Sequence, residues 1–585
     1  MVTLFGMLET GIRGLFSQQA GISVTGNNIS NVNTPGFSRQ RVNLVTTPDL
    51  DAPPLPTGTG AQVASIERFR SEFLDLQIRD QKSDFGYFSQ MGSLYAHLET
   101  ILNDPITAST SSLEDTAEAG LNATLIYFFD ALQELSLEPE STAVRSSVRE
   151  VASTLAATFN LLDQQMADLQ VDVNTKIEDT VSEINTYLDS ILEVNMQIAR
   201  LEVEEDSNAN NLRDQRDLLI TELSQLVPVD VTELESGAVN VSIFGINAVQ
   251  PLTVNHLVAV PRQNDPYQFV DIVSENGGGQ ILNTQITTGQ LGALLEARDE
   301  IVPDYQAQID ELAYTLINEI NAIHSGSAGQ SGFTQTTGEI AVSNPALVLD
   351  VSELDFDVQA GSFDLVVRDA DGNFANQYTI TVDPATDSLN DLALAIDNAD
   401  GVPGGGDLTA TVNAANQLVI SAGTDQTFTI QGDDSGVLAA LGVNVFFTGT
   451  DAGSISLSQL IQNDLSKIAA SADGTLGNNE AALEMAQLRQ AALFESDTAD
   501  FNAYYQSTIA KLGTESRRTI QLEQNTALLV NELELRQEEL AGVSIDEETV
   551  NLMMFQRAFS AASRFITSVD ELIRTVVESM GLVGR

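Results

Sequence analysis

Three histidines, His97, His256 and His324, are the chain's whole supply of imidazole, and among its 585 residues there is no cysteine. Metal sites built on imidazole ask for ligands about one helical turn apart, as in HxxxH or HExxH, and none of the three has such a neighbour. Without cysteine there is no disulfide, thiolate metal site, iron–sulfur cluster or thiol nucleophile. No GxSxG elbow marks a nucleophilic serine. Gly277-Gly278-Gly279 and Gly404-Gly405-Gly406 lack the Lys-Ser/Thr of a phosphate loop and read as plain loops. Asp369-Ala370-Asp371-Gly372-Asn373 suggests a calcium loop. An EF-hand, however, needs glycine at position six and a bidentate Glu at position twelve, whereas here glycine is fourth and the twelfth residue is Ile380. The segment reads as a hairpin turn. Arg213, Asp214, Arg216 and Asp217 read as a solvated helix face with local ion pairs, each worth little. Catalytic, cofactor-binding and metal-binding residues are therefore expected to be none, and the chain is expected not to be an enzyme.

The bulk numbers narrow the partners. Lys and Arg total 26 against 83 Asp and Glu, a formal charge of −57. Such a surface repels phosphate backbones and anionic lipid, which argues against nucleic-acid and membrane partners. Apolar residues make up 43% of the chain, ordinary for globular protein, and the length allows several domains. No basic stretch followed by an apolar core opens the chain, so no cleavable signal peptide is expected. No run reaches the roughly 20 apolar residues of a membrane span.

The clearest pattern lies at the two ends. Leu552, Phe555, Phe559, Ala562, Ile566, Val569, Ile573, Val576 and Met580 alternate three and four apart, an apolar seam at coiled-coil period. Phe5, Leu8, Ile12, Leu15, Ile22 and Ile29 form a matching ladder at the other end, with Gln19 and Gly26 as gaps. Chain ends normally fray and are polar, so these two seams are expected to pair, with Phe5, Leu8, Ile12 and Leu15 facing Phe559, Ile566, Val569 and Ile573.

Between the ends, residues 34–68 are rich in proline and threonine (Pro48, Pro53, Pro54, Pro56) and are expected to be extended with little packing of their own. Helical periodicity dominates 70–227, and a proline- and glycine-free run over 141–203 implies one or two very long helices. Alternation then signals β structure over 228–285, a helix over 288–324, and a flexible loop at 325–332. An α+β insertion follows, with Phe363, Leu365 and Val367 facing Tyr378, Ile380 and Val382 across an Asp371-Gly372 turn. Ser388 and Asp391 cap a short helix. Helix is expected from about 455 to the end, with a stop at Gly542. The fold class is thus mainly α with inserted β and α+β domains, an elongated multidomain chain whose N- and C-terminal helices pair as a coiled-coil-like shaft. The expected divisions are a terminal core of 1–70 and 543–585, a long-helix bundle of 71–227, 286–335 and 455–542, a small β region of 228–285, and an outer α+β domain of 336–454.

Gly26-Asn-Asn-Ile-Ser-Asn-Val-Asn-Thr-Pro-Gly-Phe37 resembles the N-terminal signature of the bacterial flagellar rod, hook and junction protein family. Gly542-Val-Ser-Ile-Asp-Glu-Glu-Thr-Val-Asn-Leu552, with Phe555-Gln-Arg-Ala-Phe559 and Ser568-Val-Asp-Glu-Leu572, resembles its C-terminal motif. Ser38-Arg39-Gln40, Asn211–Val227 and Arg298–Ser325 favour the junction members over the shorter rod proteins. The likeness covers about 1–335 and 455–585, and is loose over 345–450. It implies a structural adaptor joining the distal end of the hook to the filament, with the terminal seams as the assembly interface. The turn Asn28, Asn31, Asn33, Pro35, Gly36 and Phe37 would set the bend out of that core. Implied partners are the hook protein, a second hook–filament junction protein, further copies of the chain in a ring, and an export chaperone on the C-terminal helix. The implied location is the flagellum outside the cell, reached through the flagellar type III export apparatus. A second junction protein, a hook-type subunit, or an added adhesive or immune-recognition role of the outer domain are the alternatives.

Overall fold

The computed structural model describes residues 4–47, 58–102, 120–202, 209–351, 354–402, 404, 406–494 and 496–581. The chain opens with α1 (Leu4–Ser30), β1 (Gln40–Thr46) and β2 (Ala61–Arg68). The long helices α2 (Glu72–Leu102), α3 (Leu121–Leu137), α4 (Thr142–Leu201) and α5 (Asn210–Leu226) follow. Next come β3 (Asp230–Glu233), β4 (Val239–Ile243), β5 (Ile246–Gln250), β6 (Thr253–Val254), β7 (Leu257–Pro261) and β8 (Val270–Ser274), then α6 (Gly289–Glu296) and α7 (Val302–Ser325). The insertion carries β9 (Gln335–Thr337), β10 (Gly361–Arg368), β11 (Phe374–Val382), α8 (Leu389–Asp397), β12 (Leu408–Val412), β13 (Leu418–Ala422), β14 (Thr427–Gln431) and α9 (Val437–Ala440). The chain ends with β15 (Phe447–Thr448), β16 (Ser456–Leu457), α10 (Gln459–Asn463), α11 (Glu480–Gln487), α12 (Phe501–Ala541) and α13 (Ile545–Gly581). None of the described helices is long and apolar enough to cross a membrane.

Two compact units result, Met1–Leu94 with Val171–Arg298 and Arg517–Arg585, and Tyr95–Gln170 with Asp299–Ser516. In the first, the sheets β3-β4-β5-β6 and β7-β8 accompany α4, whose stripe of Val173, Ile177, Val181, Ile184, Leu188, Ile191 and Ile198 is buried. Asn195 falls on that stripe and is buried too, its amide donating to Val239 O (2.9 Å) and accepting from Val239 N (3.2 Å). Asn185 pairs in the same way with both backbone groups of Leu257.

The second unit is built on phenylalanines. Phe128 lies 5.6 Å from Phe129 and from Phe447, and Phe494 stacks on Tyr504 at 4.4 Å between ring centres. Its insertion holds two three-stranded sheets, β11-β10-β14 and β12-β13-β9, around Phe363, Leu365, Ile380, Ile396, Ile420, Phe428 and Ile430. The hairpin β10–β11 pairs Phe363 with Ile380 and Leu365 with Tyr378. Asp369 closes its turn by accepting from the N–H of Asp371 and Asn373. Ser388 and Asp391 form the capping box of α8.

Four expectations are corrected. Residues 34–68 are not simply extended: β1 and β2 pair antiparallel, with a register shift between Asn43 and Leu44. The prolines at 48, 53, 54 and 56 lie outside the described residues. The helix over 288–324 is two helices, separated by a wide π turn at Ala297–Ile301. There Arg298 turns inward, fully buried, to donate to Val270 O and Asn174 Oδ1. Pro303 then lacks the N–H that would continue the preceding pattern. The loop after α7 is pinned, because the Asn444 amide donates to the carbonyls of His324, Ser325 and Ser327. Continuous helix does not begin at 455 but at Phe501. Side chains of Asp464 and Asp473 accept from backbone N–H groups two residues on, favouring turns over helix.

His324 is buried with no exposed surface. Its Nδ1 meets Asn444 O at 2.7 Å and its Nε2 accepts from Ala469 N at 2.9 Å, so the neutral Nδ1–H form fits. Burial pushes its pKa from 6.5 down to about 4. The unfolded chain therefore binds this proton more readily, and stability is complete above about pH 6.5 and declines as pH falls toward 4. The full loss is roughly 3 kcal/mol, at about 1.4 kcal/mol per pKa unit. Urea unfolding of this unit at pH 7 and 4.5 is expected to show a larger acid loss for the natural chain than for His324→Gln; equal losses would refute the assignment.

Candidate functional site: the paired terminal helices and the signature turn

Glycine in a helix interior costs about 1 kcal/mol against alanine, yet α1 contains Gly6, Gly11, Gly14, Gly21 and Gly26. Two of these are explained by close approach to α13. A Cβ at Gly11 would lie 2.8 Å from Ile566 Cγ1, and one at Gly21 2.7 Å from the Phe555 ring. At a third level, Asn28 Nδ2 donates to Glu548 Oε2 (3.1 Å). As α1 advances from 11 through 21 to 28, its partner runs back from 566 through 555 to 548, so the helices are antiparallel in fixed register.

This register brings the two ladders together, though not face to face. Leu8, Leu15, Ile22 and Ile29 are half-buried, and Phe5 and Ile12 are exposed. On α13, Leu552, Phe555, Phe559, Ala562, Ile566 and Ile573 are half-buried, Val569 is buried and Val576 is exposed. The side chain of Met580 lies outside the described residues. The buried face of α1 is instead Gly11, Ser17, Gly21, Val24, Thr25 and Asn28. It faces α13 and also the β1–β2 hairpin, where Ser17 Oγ donates to Ala61 O at 3.2 Å. Gly11 and Gly21 cannot be seen in a ladder of apolar residues, because such a pattern counts side chains, and here their absence makes the contact.

The turn after α1 is held by amides. Asn28, 1% exposed, donates to Gln40 O (2.9 Å) and accepts from Gln40 N (3.0 Å), joining β1 to the helix as a strand neighbour would. Asn31 Nδ2 donates to Asn27 Oδ1 and its Oδ1 accepts from Thr34 Oγ1. Asn33 and Pro35 are exposed and Phe37 is half-buried. Gly36 has φ +74°, a left-handed conformation that favours glycine, and a Cβ there would meet Leu218 at 3.3 Å.

Beyond the turn, charged side chains fix the terminal pair to the rest of the unit. Arg39 Nε donates to the buried Glu548 (2.9 Å), its Nη1 to Glu547 (2.9 Å), and its backbone N–H to Ala541 O. Ser38 N donates to Asp214 Oδ2 (3.0 Å), and Arg68 reaches Asp214 (2.8 Å) and Asp217 (3.0 Å). Arg70 meets Asp75 at 2.7 Å, and Gln537 also donates to Asp75. The cluster expected to be a solvated face is thus interior: Asp214 is 4% and Arg216 1% exposed, and Arg216 donates to Gly237 O. Burial alone would raise the Asp217 carboxyl, but Arg70, Arg68 and Arg216 outweigh it and hold it below the usual carboxylate range. Spacing along α5 could not reveal this, because the arginine partners at 68 and 70 come from another segment. A cleft of about 870 Å³ opens beside the turn, lined in part by Phe37, Arg39, Lys82, Leu218, Glu534 and Val543.

Of the histidines, His97 is exposed, His324 is structural, and His256 sits between Asp189 (3.0 Å) and Glu275 (3.3 Å) near the surface. No group of three or more His, Asp or Glu among the described residues is placed to hold a metal.

Asn28→Ala should remove three hydrogen bonds and leave Glu548 short of a donor, a loss of roughly 2 kcal/mol. Asn28→Asp should cost more, since it sets a second carboxylate against Glu548. Amide exchange is expected to accelerate in both α1 and the first turns of α13; unchanged protection would mean the clamp does not hold the pair. Gly21→Val should loosen the same pair by about 1–3 kcal/mol through overpacking against Phe555, measured likewise.

Comparison with known proteins places this arrangement. Residues 107–339 match the helical domain of the flagellar hook-associated protein FlgK, 537–579 the C-terminal domain of the flagellar basal body rod proteins FlgEFG, and 8–37 the flagella basal body rod protein family. The chain is 28% identical over 605 aligned residues to flagellar hook-associated protein 1 of Bacillus subtilis, covering all of both chains. It is 26% identical to that of Escherichia coli, covering 98% of this chain and 99% of the relative. The solved flagellar hook junction protein FlgK from Burkholderia pseudomallei superposes with a TM-score of 0.52 at 18% identity, over 80% of this chain and 100% of that one, which speaks for the fold. With family matches at both ends and in the helical body, and relatives aligned along their full length, the chain is similar from end to end to the flagellar hook-associated protein 1 family.

Proposed function

We propose that the chain is a structural adaptor of the bacterial flagellum, a subunit of the junction that connects the distal end of the hook to the filament. The observation carrying this reading, beside the family, is the apolar surface left on the terminal pair. Phe5 (72% exposed), Phe16, Met553, Met554, Phe565 and Val577 (65%) all stand in solvent on α1 and α13. Gly14 and Gly26 have nothing within 4 Å of where a Cβ would sit. Apolar surface concentrated in this way marks an interaction site, and the two helices cover only part of their own stripes.

In this reading 1–70 and 543–585 are the assembling part, and Phe5, Leu8, Ile12, Leu15, Ile22, Ile29, Leu552, Phe555, Phe559, Ala562, Ile566, Val569, Ile573 and Val576 contribute to its interface. Copies of the chain form a ring on the hook protein and receive a second junction protein on the far side. Export proceeds without a cleavable signal peptide, and a chaperone covers the apolar surface of α13 beforehand.

Purified chain mixed with isolated hooks stripped of filaments is expected to cap their bare distal ends in electron micrographs. Binding only after another junction protein is supplied would make it the second adaptor instead, and no binding at all would refute the reading. Ile566→Asp is expected to abolish capping, since a carboxylate forced against Gly11 and its neighbours costs several kcal/mol unless it stays wet. Val577→Asp changes an exposed residue, so it should weaken capping while leaving the urea midpoint of the free chain unmoved.

A further inference from the structure

We infer that His324 is a proton-operated latch on the stalk of the α+β insertion, and that acid opens the stalk while the cores on either side of it stay closed. The insertion leaves the helical part of its unit after α7 and returns at Asn444, 120 residues later, so its entry and exit lie side by side. Three passages of chain meet there: 324–328 at the end of α7, 444–447 leading into β15, and 465–471 after α10. The Asn444 carboxamide ties the second passage to the first. Ala328 and Ser471 exchange backbone hydrogen bonds, which ties the third to the first.

His324 stands between all three. Its Nδ1–H donates to Asn444 O at 2.7 Å, its Nε2 accepts from Ala469 N at 2.9 Å, and its ring stands edge-on to Phe446 at 5.4 Å. A neutral imidazole offers one donor and one acceptor, and both are engaged. A second proton must go to Nε2, where it sets donor against donor at the N–H of Ala469. The new charge would also be wholly buried, and a buried charge without a partner is costly.

The surroundings offer that charge no relief. From α4 it faces Arg145, of the same sign, which donates to Ile468 O at 2.5 Å and Leu465 O at 3.2 Å. The preceding turn of α7 brings Asn321, whose amide is engaged by Phe446 and Phe447. The other two passages present the Asn444 carbonyl, the Phe446 ring and the backbone of Ala469, none of them ionisable. Asp464 is turned to Ser466, and its charge acts on Lys467 and Arg145. The penalty therefore falls on the joint itself and disappears when the three passages part.

The parts beyond the stalk respond differently. The insertion closes over its own core of Phe363, Leu365, Ile380, Ile420 and Phe428, and 333–443 contains no histidine. Burial raises the carboxyls of Asp310, on α7, and of Glu339, after β9. A raised carboxyl binds its proton more readily in the folded chain, so falling pH strengthens those contacts while it weakens the latch.

With the imidazole brought by burial from 6.5 down to about 4, opening of the stalk becomes about twentyfold more frequent at pH 5 than at pH 7. Hydrogen exchange in the full-length chain, each amide referred to its intrinsic rate at that pH, measures this. The N–H groups of Ser327, Ala328, Ala469, Ala470 and Ser471 are expected to lose about twentyfold in protection, while those of Leu365, Ile420 and Ile430 keep theirs. In His324→Gln the carboxamide can donate to Asn444 O and accept from Ala469 N, so the stalk should be equally protected at both pH values. An equal loss in His324→Gln, no loss in the natural chain, or loss spread evenly through the unit would overturn the inference. Ring-labelled histidine gives a reading that needs no variant, because the chain has three imidazoles. One of the three signals should keep the neutral Nδ1–H form down to about pH 5, and protonation of all three above pH 6 would refute the latch.

Discussion

A carboxamide on a helix carries the same donor and acceptor as a peptide unit, and this protein uses that equivalence to fasten strands to helices. Helix and strand have no regular backbone pairing with each other, so a strand lying on a helix would leave buried N–H and C=O groups unmet. Asn28 supplies both groups to Gln40, Asn195 to Val239 and Asn185 to Leu257. Asn321 does the same in the other unit, donating to Phe447 O and accepting from the N–H of Phe446 and Phe447. Each buried amide would be costly unpaired, and each fixes one position of the strand against one turn of the helix. The β1–β2 hairpin depends on this, since its own ladder leaves the outer edge of β1 open at Gln40.

The clamp at Asn28 does more than hold a hairpin. Because the same amide also reaches Glu548, and Glu548 accepts from Arg39, the stretch 28–39 and the start of α13, more than 500 residues apart in sequence, meet around one buried carboxylate. Arg39, Ser38, Asp214 and Arg68 continue the connection to α5 and β2. Buried ion pairs contribute little net stability, but breaking one leaves a stranded charge, which penalises alternative arrangements by several kcal/mol. The terminal pair is therefore aimed by polar contacts at one end. Its apolar length is left incompletely covered, a division that suits helices whose remaining surface serves other chains.

The elements were legible wherever the pattern came from apolar side chains at regular spacing. The stripe of α4, the Phe363–Ile380 hairpin and the Ser388 cap could be drawn from sequence because each is a local regularity. The terminal ladders predicted that α1 and α13 belong together, but not that Gly11 and Gly21 make the closest contacts. The ion-pair junction was illegible for a different reason: Arg213, Asp214, Arg216 and Asp217 have the appearance of any surface helix turn, and only folding brings Arg68 and Arg70 to them. The asparagine clamps do leave a signal in the sequence. Asn195 interrupts an otherwise apolar row of Leu188, Ile191 and Ile198, and a polar residue in such a place must have a partner. The segment from 455 to 500 failed as helix because Asp, Ser and Asn side chains there bind nearby backbone more readily than the helix does.

Charge sets a condition on any assembly of this chain. With a formal charge of −57 per copy, close packing accumulates repulsion that short apolar contacts must overcome, and salt screens it only beyond about 8 Å at physiological strength. Apolar burial is non-directional and tolerates sliding of one helix past another. A helix pair that carries only an apolar seam would thus leave its axial position weakly determined. Charged side chains remedy this, because a shift of one heptad turns attraction into like-charge contact. Within the chain, Asn28–Glu548 and Arg39–Glu548 set the axial position of α13 on α1.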